Sequence, residues 1–199
     1  MRNRPTSGAA DSAFAAGEDR WRDRLGSLRQ VVRQELVSRQ LTGHLPGEAP
    51  LNVLDVGCGQ GTQALRLARG GHAVTGLDSS ATLLDDPHRP DGLAMRPGLR
   101  GDWAATLRAF DEPSYDNRIG VSARADRLAA LTASLTNHRM RVRTWYGVRV
   151  FTDTAADDAD LPGEQELAAL PACEERAGAT DPYRHVAALT HVIAERAGQ

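Results

Sequence analysis

The sequence predicts an α/β fold organised around a doubly wound parallel sheet. Residues 51–56 are predicted to form a short buried strand that leads directly into a glycine-rich turn. A helical pattern follows over residues 62–71, and a second short apolar segment ends at residue 78. A strand, a glycine turn, a helix and a second strand in this order form a βαβ unit, in which the two strands lie parallel.

The length and composition are those of a globular domain. The 199 residues include 41% hydrophobic and 25% charged residues, so the chain has enough apolar side chains to form a core. No apolar run approaches the ~18 residues of a membrane-spanning helix. The first 20 residues lack the apolar segment of a secretory signal. We therefore expect no membrane partner.

The charged residues and the cysteines indicate what the protein binds, where in the cell it lies and what kind of genome encodes it. A net charge of −2 argues against a protein that coats nucleic acid regardless of its sequence, because that mode of binding needs a basic surface. Two cysteines, Cys58 and Cys173, are too few for a disulfide framework and indicate a cytoplasmic location. All 24 basic residues are arginine, which together with abundant alanine and glycine is typical of a GC-rich bacterial genome.

The N-terminal part is predicted to hold a flexible tail and one helix. Residues 1–19 are small and polar, whereas residues 20–199 are predicted to form a single domain. The helix is expected to run from Arg20 to the turn-rich stretch that begins at Gly43. Five of its apolar residues share one face at helical spacing: Trp21, Leu25, Leu28, Val32 and Leu36.

The later elements follow from capping residues and apolar spacing. The helix of the βαβ unit is expected to bury Ala64, Leu65 and Ala68 and to stop at its two glycines, 70 and 71. Residues 92–101 look like a loop, Asp102 is expected to cap a helix through residue 110, and Ser122 to cap another. Residues 141–151 predict a strand interrupted at residue 147, and residues 164–177 a helix. Residues 181–196 fit a final helix or a final strand.

The turn after the first strand carries the chemistry of a ligand site. Glycines at positions 57, 59 and 61 let the backbone turn sharply and approach a ligand closely. Backbone amides at the start of the next helix then face the bound molecule. Asp55 precedes the turn, and Asp78 lies 21 residues beyond Gly57. This spacing suits a carboxylate that accepts hydrogen bonds from both hydroxyls of a ribose.

The positions of the glycines discriminate between nucleotide ligands. A dinucleotide-binding turn needs its third glycine at position 62, where this chain has Thr62. The form G-x-G-x-G with an acid on each side favours S-adenosylmethionine. A dinucleotide-dependent oxidoreductase is therefore the more distant interpretation. The alternative without a ligand is a tight structural turn between strand and helix.

The sequence resembles a known family over most of its length. LNVLDVGCGQGTQALRLARGGHAVTGLDSSATLLD, residues 51–85, is similar to the first two motifs of the class I S-adenosylmethionine-dependent methyltransferases. A narrower resemblance, to the tRNA 5-carboxymethoxyuridine methyltransferases, lies in SLRQVVRQEL, GLAMRPGLRGDW, YGVRVFTD and CEERAGATDPYRHVAALTHVIAE. Those enzymes methylate the carboxylate of a modified wobble uridine. The resemblance implies a Rossmann-like fold, S-adenosyl-L-methionine as cofactor, and tRNA or a small carboxylate-bearing molecule as acceptor.

The resemblance also implies which residues bind the cofactor. It places Gly57 and Cys58 against the methionine portion and Asp78 against the ribose. Arg29 matches an arginine that contacts the cofactor in those enzymes, and the alternative for Arg29 is an ordinary arginine on a helix surface. Cys58 is interpreted as a small residue in a crowded turn, not as a nucleophile. The full set is Arg29, Asp55, Gly57, Cys58, Gly59, Gly61 and Asp78.

The chain departs from the family after Asp78. Two further βαβ steps need ~60 residues, whereas only 14 positions separate Asp78 from Gly92. The sequence therefore predicts a Rossmann-like methyltransferase fold with a truncated central sheet, and residues 91–122 are interpreted as an insertion on the substrate side. Lost strands expose a sheet edge, which makes self-association possible.

Two functions follow from this departure. The chain is either an active methyltransferase or a non-catalytic remnant that acts, if at all, through binding. No catalytic acid or base is assigned, because a carboxylate acceptor is already an anionic nucleophile. The six histidines form no metal-binding motif, so no metal is expected.

One basic segment fits either contact with nucleic acid or simple exposure to solvent. Arginines 139, 141, 143 and 149 surround Trp145 and Tyr146, a combination that fits contacts with phosphates and stacking on a base. A strand edge with solvated arginines explains the pattern equally well.

Overall fold

The computed structural model describes residues 24, 26–45, 47, 49–56, 58, 61–77, 93–112, 114–116, 122–124, 127–156 and 158–196. These residues form helices and small sheets, a mixture that is consistent with the α/β class. The chain divides into two compact units. Unit 1 is built around residues 47–77, and unit 2 around residues 26–45, 93–115 and 124–196. The single domain over 20–199 and its 91–122 insertion stay predictions.

The elements are named here in chain order. The helices are α1 Leu28–Thr42, α2 Thr62–Arg69, α3 Met95–Leu99, α4 Trp103–Asp111, α5 Leu128–Asn137 and α6 Glu164–Ala179. The strands are β1 Asn52–Val56, β2 Ala73–Leu77, β3 Ser114–Asp116, β4 Ser122–Arg124, β5 Met140–Val148 and β6 Leu189–Arg196. Short 3₁₀ turns lie at Thr152–Thr154 and Tyr183–Val186. Within the described residues, no helix is long and apolar enough to cross a membrane.

The βαβ unit predicted from the sequence is present in unit 1. Strand β1 pairs with β2 in parallel, in a register that runs from Asn52 opposite Ala73 to Val56 opposite Leu77. Helix α2 connects the two strands and ends at Gly70, and Gly71 adopts a positive φ of 90°. A parallel pair needs such a crossover, and the left-handed conformation of Gly71 lets the chain leave the helix directly into β2.

The buried face of α2 differs from the prediction. Leu67 is the buried residue of this helix, whereas Leu65 and Ala68 are exposed. An eight-residue helix with apolar residues on two sides leaves its inner face undetermined by spacing alone. Strand β1 was also predicted to be buried, but Leu54 is 60% exposed. One face of the strand pair is therefore open at Leu54.

The core of unit 2 contains the predicted apolar face of α1. Leu28, Val32 and Leu36 are buried together with Val148 of β5 and Leu189 of β6. The helix ends at Thr42, next to Gly43, as predicted. The first two residues of the predicted face, at positions 21 and 25, lie outside the described residues.

Strands β5 and β6 form the sheet of unit 2. They pair antiparallel, from Met140 opposite Arg196 to Val148 opposite Leu189, with an irregularity between Val142 and Thr144. The alternation of β-branched residues near the C-terminus therefore predicts a strand correctly. The helix considered as an alternative there is wrong, because the segment that follows residue 182 is only a short 3₁₀ turn.

Gly147 does not interrupt β5, contrary to the prediction. It lies within the strand, where an added Cβ would stand 2.7 Å from Ala187 Cβ and 2.8 Å from the Arg184 carbonyl oxygen. A Cβ on Gly178 of α6 would in turn collide with the Gly147 carbonyl oxygen. Glycine at 147 therefore lets the segment before β6 approach the strand, and glycine at 178 lets α6 approach it, more closely than any other residue would.

Two predictions between residues 92 and 127 are wrong and one is confirmed. The predicted loop contains α3, which tolerates Pro97 because the first turn of a helix needs no hydrogen bond from that nitrogen. Ser122 begins β4, which pairs with β3, so the helix starts only at Leu128. Asp102 caps α4 as predicted, since its carboxylate accepts a hydrogen bond from the Ala105 N–H at 3.0 Å.

A buried carboxylate that no sequence pattern singles out connects α6 to the chain after β5. Glu174 is 1% exposed. It accepts hydrogen bonds from the N–H groups of Val150 at 2.7 Å, Phe151 at 3.0 Å and Thr152 at 2.8 Å. The Thr152 hydroxyl donates a fourth at 2.7 Å. Hydrogen bonds to a charged acceptor are stronger than neutral ones, so this contact fixes the turn on the helix.

Replacing this carboxylate should destabilise unit 2 strongly. We expect Glu174→Ala to lower the free energy of unfolding by at least about 3 kcal/mol, because each buried donor left without an acceptor costs about 1–3 kcal/mol. Urea denaturation measures the effect. The matched control is Glu175→Ala, whose partly exposed carboxylate lies 3.6 Å from Arg39 and should contribute less than about 1 kcal/mol. Equal losses in the two variants would contradict the assigned role of Glu174.

Candidate cofactor site

The chain reverses direction between β1 and α2 in a tight turn. The Cys58 carbonyl accepts a hydrogen bond from the Gly61 N–H at 2.7 Å. The Gly61 carbonyl in turn accepts the first helical hydrogen bond, from the Leu65 N–H at 2.8 Å. Gly61 therefore ends the turn and begins the helix, which directs the first N–H groups of α2 back toward the end of β1.

Gly61 is required for its backbone conformation and leaves open space beside it. Its φ of 79° lies in the left-handed region, which side chains with a Cβ disfavour. Apart from its chain neighbours, no atom of the described residues lies within 4 Å of a Cβ built at this position. A left-handed glycine at a helix N-terminus, with open space beside it, is the geometry that a close-approaching ligand needs.

Cys58 packs against the neighbouring strand at Gly76. A Cβ added to Gly76 would lie 3.0 Å from the Cys58 sulfur and 3.6 Å from the Cys58 Cβ. The Cys58 side chain therefore occupies the space that a side chain at position 76 would need. Sequence reasoning missed Gly76, although a glycine inside a predicted strand signals the close approach of another part of the chain.

Both strands of unit 1 end at the same edge. Asp55 is half-buried and lies opposite Gly76, and Val56 lies opposite Leu77. The next residue along the chain after β2 is Asp78. Gly57, Gly59 and Asp78 lie outside the described residues, so their roles, like those of the rest of the predicted set, stay predictions.

Arg29 lies on α1, in unit 2. The residue is 4% exposed. The alternative of an ordinary arginine on the helix surface is therefore wrong, because such a side chain extends into solvent. A buried guanidinium needs partners for its charge and for its five N–H donors.

His72 supports the start of both strands. The Leu51 N–H donates a hydrogen bond to His72 Nδ1 at 3.2 Å, and the Ala73 N–H donates to the Leu51 carbonyl at 2.8 Å. This arrangement explains a histidine at the beginning of a strand by structure alone. Within the described part of the chain, no three metal-binding side chains come together.

A second polar cluster lies in unit 2, between the end of α1 and the sheet. His44 Nε2 and the Tyr146 hydroxyl are 2.6 Å apart, and His191 Nδ1 and Gln40 Oε1 are 2.7 Å apart. Burial, with smaller contributions from His44 and Arg33, lowers the pKa of His191 from 6.5 to about 4. At neutral pH, His191 is therefore an uncharged hydrogen-bonding group.

The basic segment is not a uniform positive surface. Arg141 and Arg143 are exposed and pair with Glu195, which holds the pKa of that carboxylate below its usual range. Arg149 is buried, contrary to the expectation of a shared surface. The Trp145 ring has the Arg184 guanidinium over it, 4.1 Å from its centroid. This stacking already covers a face of the ring that a base would need.

The region that matches a known protein family includes the glycine turn. Residues 53–116 match a methyltransferase domain. The matched region begins in β1, includes the whole turn, α2 and β2, and covers about a third of the chain. The methyltransferase-domain match supports a class I S-adenosylmethionine-dependent methyltransferase and implies a Rossmann-like fold. None of the curated proteins matches the chain.

The contact between Cys58 and Gly76 can be tested by a double-mutant cycle. We expect Gly76→Ala to lower the free energy of unfolding by about 1 kcal/mol or more, because the new methyl group crowds the sulfur. In the Cys58→Ala background the same substitution should cost less, because the sulfur is gone. Denaturant unfolding of the four proteins measures the coupling. Additive effects would show that the two side chains do not share this space.

The low pKa of His191 predicts a loss of stability in acid. The unfolded chain takes up a proton as the pH falls through about 6.5, whereas folded His191 resists protonation until about 4. Stability is therefore full above pH 6.5 and falls by up to about 3 kcal/mol toward pH 4. Denaturant titrations across this range should show a flatter profile for His191→Gln. The exposed His138→Gln is the control, and an unchanged slope in His191→Gln would contradict the prediction.

Proposed function

We propose that the turn between β1 and α2 binds S-adenosylmethionine and that the chain is a methyltransferase. The observation that carries the proposal is the parallel β1–β2 pair, with the Cys58–Gly61 turn leaving its carboxyl edge. In open α/β sheets, ligands bind outside the carboxyl ends of parallel strands. The methyltransferase-domain match covers the same residues.

The residues of the turn fit the cofactor in three ways. The open space at Gly61 admits close approach, and the first amides of α2 offer donors to the methionine carboxylate. Asp78, one residue beyond β2, is assigned to the ribose hydroxyls, whose hydrogen bonds a carboxylate accepts. The assignment of Arg29 to the cofactor rests on the family resemblance alone.

The proposed acceptor is a carboxylate, on a modified wobble uridine of tRNA or on a small molecule. Bound S-adenosylmethionine supplies an electrophilic methyl group on a sulfonium. The carboxylate oxygen is already an anionic nucleophile, so the protein needs no general base. Its residues position the two reactants in line and exclude water. Such a reaction fits the proposed cytoplasmic setting.

Two stretches that resemble the tRNA-modifying enzymes meet in unit 2, which supports this acceptor. Arg96 of α3 donates two hydrogen bonds to Asp153 Oδ2, at 3.0 and 2.7 Å. Arg149 lies 3.4 Å from the other oxygen of the same carboxylate. Arg149 also adopts a left-handed φ of 60°, and strained non-glycine residues cluster at functional sites.

A second candidate function is a non-catalytic remnant. The 13 residues between Asp78 and Gly92 are too few for further strands with their helices. Leu54 of β1 and Leu65 of α2 are exposed, although helices cover both faces of a complete parallel sheet. These observations favour a truncated central sheet, and a truncated sheet can retain the fold while losing part of the cofactor site.

A substitution of Asp78 distinguishes the two candidate functions. In the methyltransferase, we expect Asp78→Ala to weaken the binding of S-adenosylhomocysteine at least about tenfold, because charge-assisted hydrogen bonds are worth roughly 1.5–3 kcal/mol. The melting temperature should stay unchanged. Isothermal calorimetry and a thermal melt of the same variant measure both. Asp158→Ala, in an exposed loop, is the matched control and should change neither.

The outcomes separate the proposals. A wild type that releases no heat with millimolar S-adenosylhomocysteine would contradict the methyltransferase and favour the remnant. Cofactor binding without transfer of labelled methyl to tRNA that contains 5-carboxymethoxyuridine would contradict the tRNA acceptor and leave the small carboxylate-bearing molecule. Unfolding of Asp78→Ala would show that the residue is structural.

A further inference from the structure

An exposed apolar stripe runs along α3 and α4 of unit 2. Within α4, Trp103, Leu107 and Phe110 follow one another at intervals of four and three residues, which places their side chains on one face of the helix; on α3, Met95 and Leu99 are four residues apart. Leu99, Trp103 and Leu107 are each 68% exposed, Phe110 is 66% exposed, and Met95 continues the pattern. Isolated apolar residues are common on surfaces, but a stripe with two aromatic rings is typical of an interaction site.

The stripe lies on a well-formed element. Asp102 caps the N-terminus of α4, and the Thr106 hydroxyl donates to the Asp102 carbonyl at 2.7 Å. The Glu112 N–H donates to the Arg108 carbonyl at 2.9 Å, which completes the last turn. The exposure of the apolar side chains is therefore not a result of helix fraying.

The charges at the two ends of the stripe indicate what it binds. Arg100 precedes α4, whereas Asp111 and Glu112 close it, and all three are exposed. In a head-to-tail pair of two copies, Arg100 of each copy faces the acidic end of the other, and the helix dipoles oppose each other favourably. A parallel pair would bring four carboxylates together. The stripe is thus complementary to itself under a two-fold rotation.

The available area sets the strength of such a pair. An aromatic side chain buries about 150–250 Å² when it is fully covered, so this stripe offers on the order of 400 Å² per copy. Even when both copies are counted, the buried area stays below the roughly 1,200 Å² in total of a standard stable interface. The contact is therefore weak and reversible. We propose that the α3–α4 stripe is a self-association surface on which two copies of the chain pack head to tail. This surface differs from the sheet edge that the truncation predicts.

Sedimentation equilibrium over micromolar to millimolar concentrations tests the proposal. The wild type should shift from monomer to dimer, and Leu107→Glu should raise the dissociation constant at least about tenfold, because it buries a charge opposite an apolar surface. Leu161→Glu, at another exposed leucine of unit 2, is the matched control and should leave the equilibrium unchanged. Circular dichroism confirms that each variant is folded.

A charge exchange tests the head-to-tail arrangement. Arg100→Glu should weaken the dimer by bringing like charges together, and the added substitutions Asp111→Arg and Glu112→Arg should restore it. A wild type that stays monomeric throughout would overturn the proposal. So would a dimer that Leu107→Glu leaves intact, or binding of the monomer to phosphatidylcholine vesicles through this stripe, which would assign it to a lipid surface.

Discussion

The candidate site depends on the parallel pairing of β1 with β2. Because the strands run in the same direction and end in register, the turn that follows β1 and the residue that follows β2 leave from one edge. Gly76 belongs to this constraint, since a Cβ at this position would crowd the Cys58 sulfur that packs on the strand. Gly61 then reverses the chain into α2. Each of these residues is needed for the geometry of the turn, whether or not a ligand is bound.

Unit 2 is organised by a different principle, the satisfaction of backbone donors by one buried acid. Glu174 fixes the turn after β5 to α6. The close approach of Gly147 and Gly178 brings helix and strand together at that point. The turn after β5 is thus held by buried hydrogen bonds, whereas Leu54 and the apolar residues of α4 are exposed.

Much of this architecture could be predicted from the sequence. The βαβ unit, the end of α1 at Gly43 and the cap at Asp102 follow from local patterns, because glycines and capping side chains act over a few residues. The buried face of α2, the strand at Ser122 and the role of Glu174 could not be predicted in this way. Each depends on which part of the chain packs opposite, and a one-dimensional pattern does not contain that information. Of the predicted site, the turn at Cys58 and Gly61 has the expected geometry, while the burial of Arg29 depends on tertiary packing.

The most direct test of the central claim is a titration of the ¹⁵N-labelled protein with S-adenosylhomocysteine, followed by amide chemical shifts. If the turn binds the cofactor, the largest changes will occur at Cys58, Gly61 and the first residues of α2, with a response at the end of β2. A shift pattern confined to other parts of the chain, or no shift at saturating ligand, would contradict the claim.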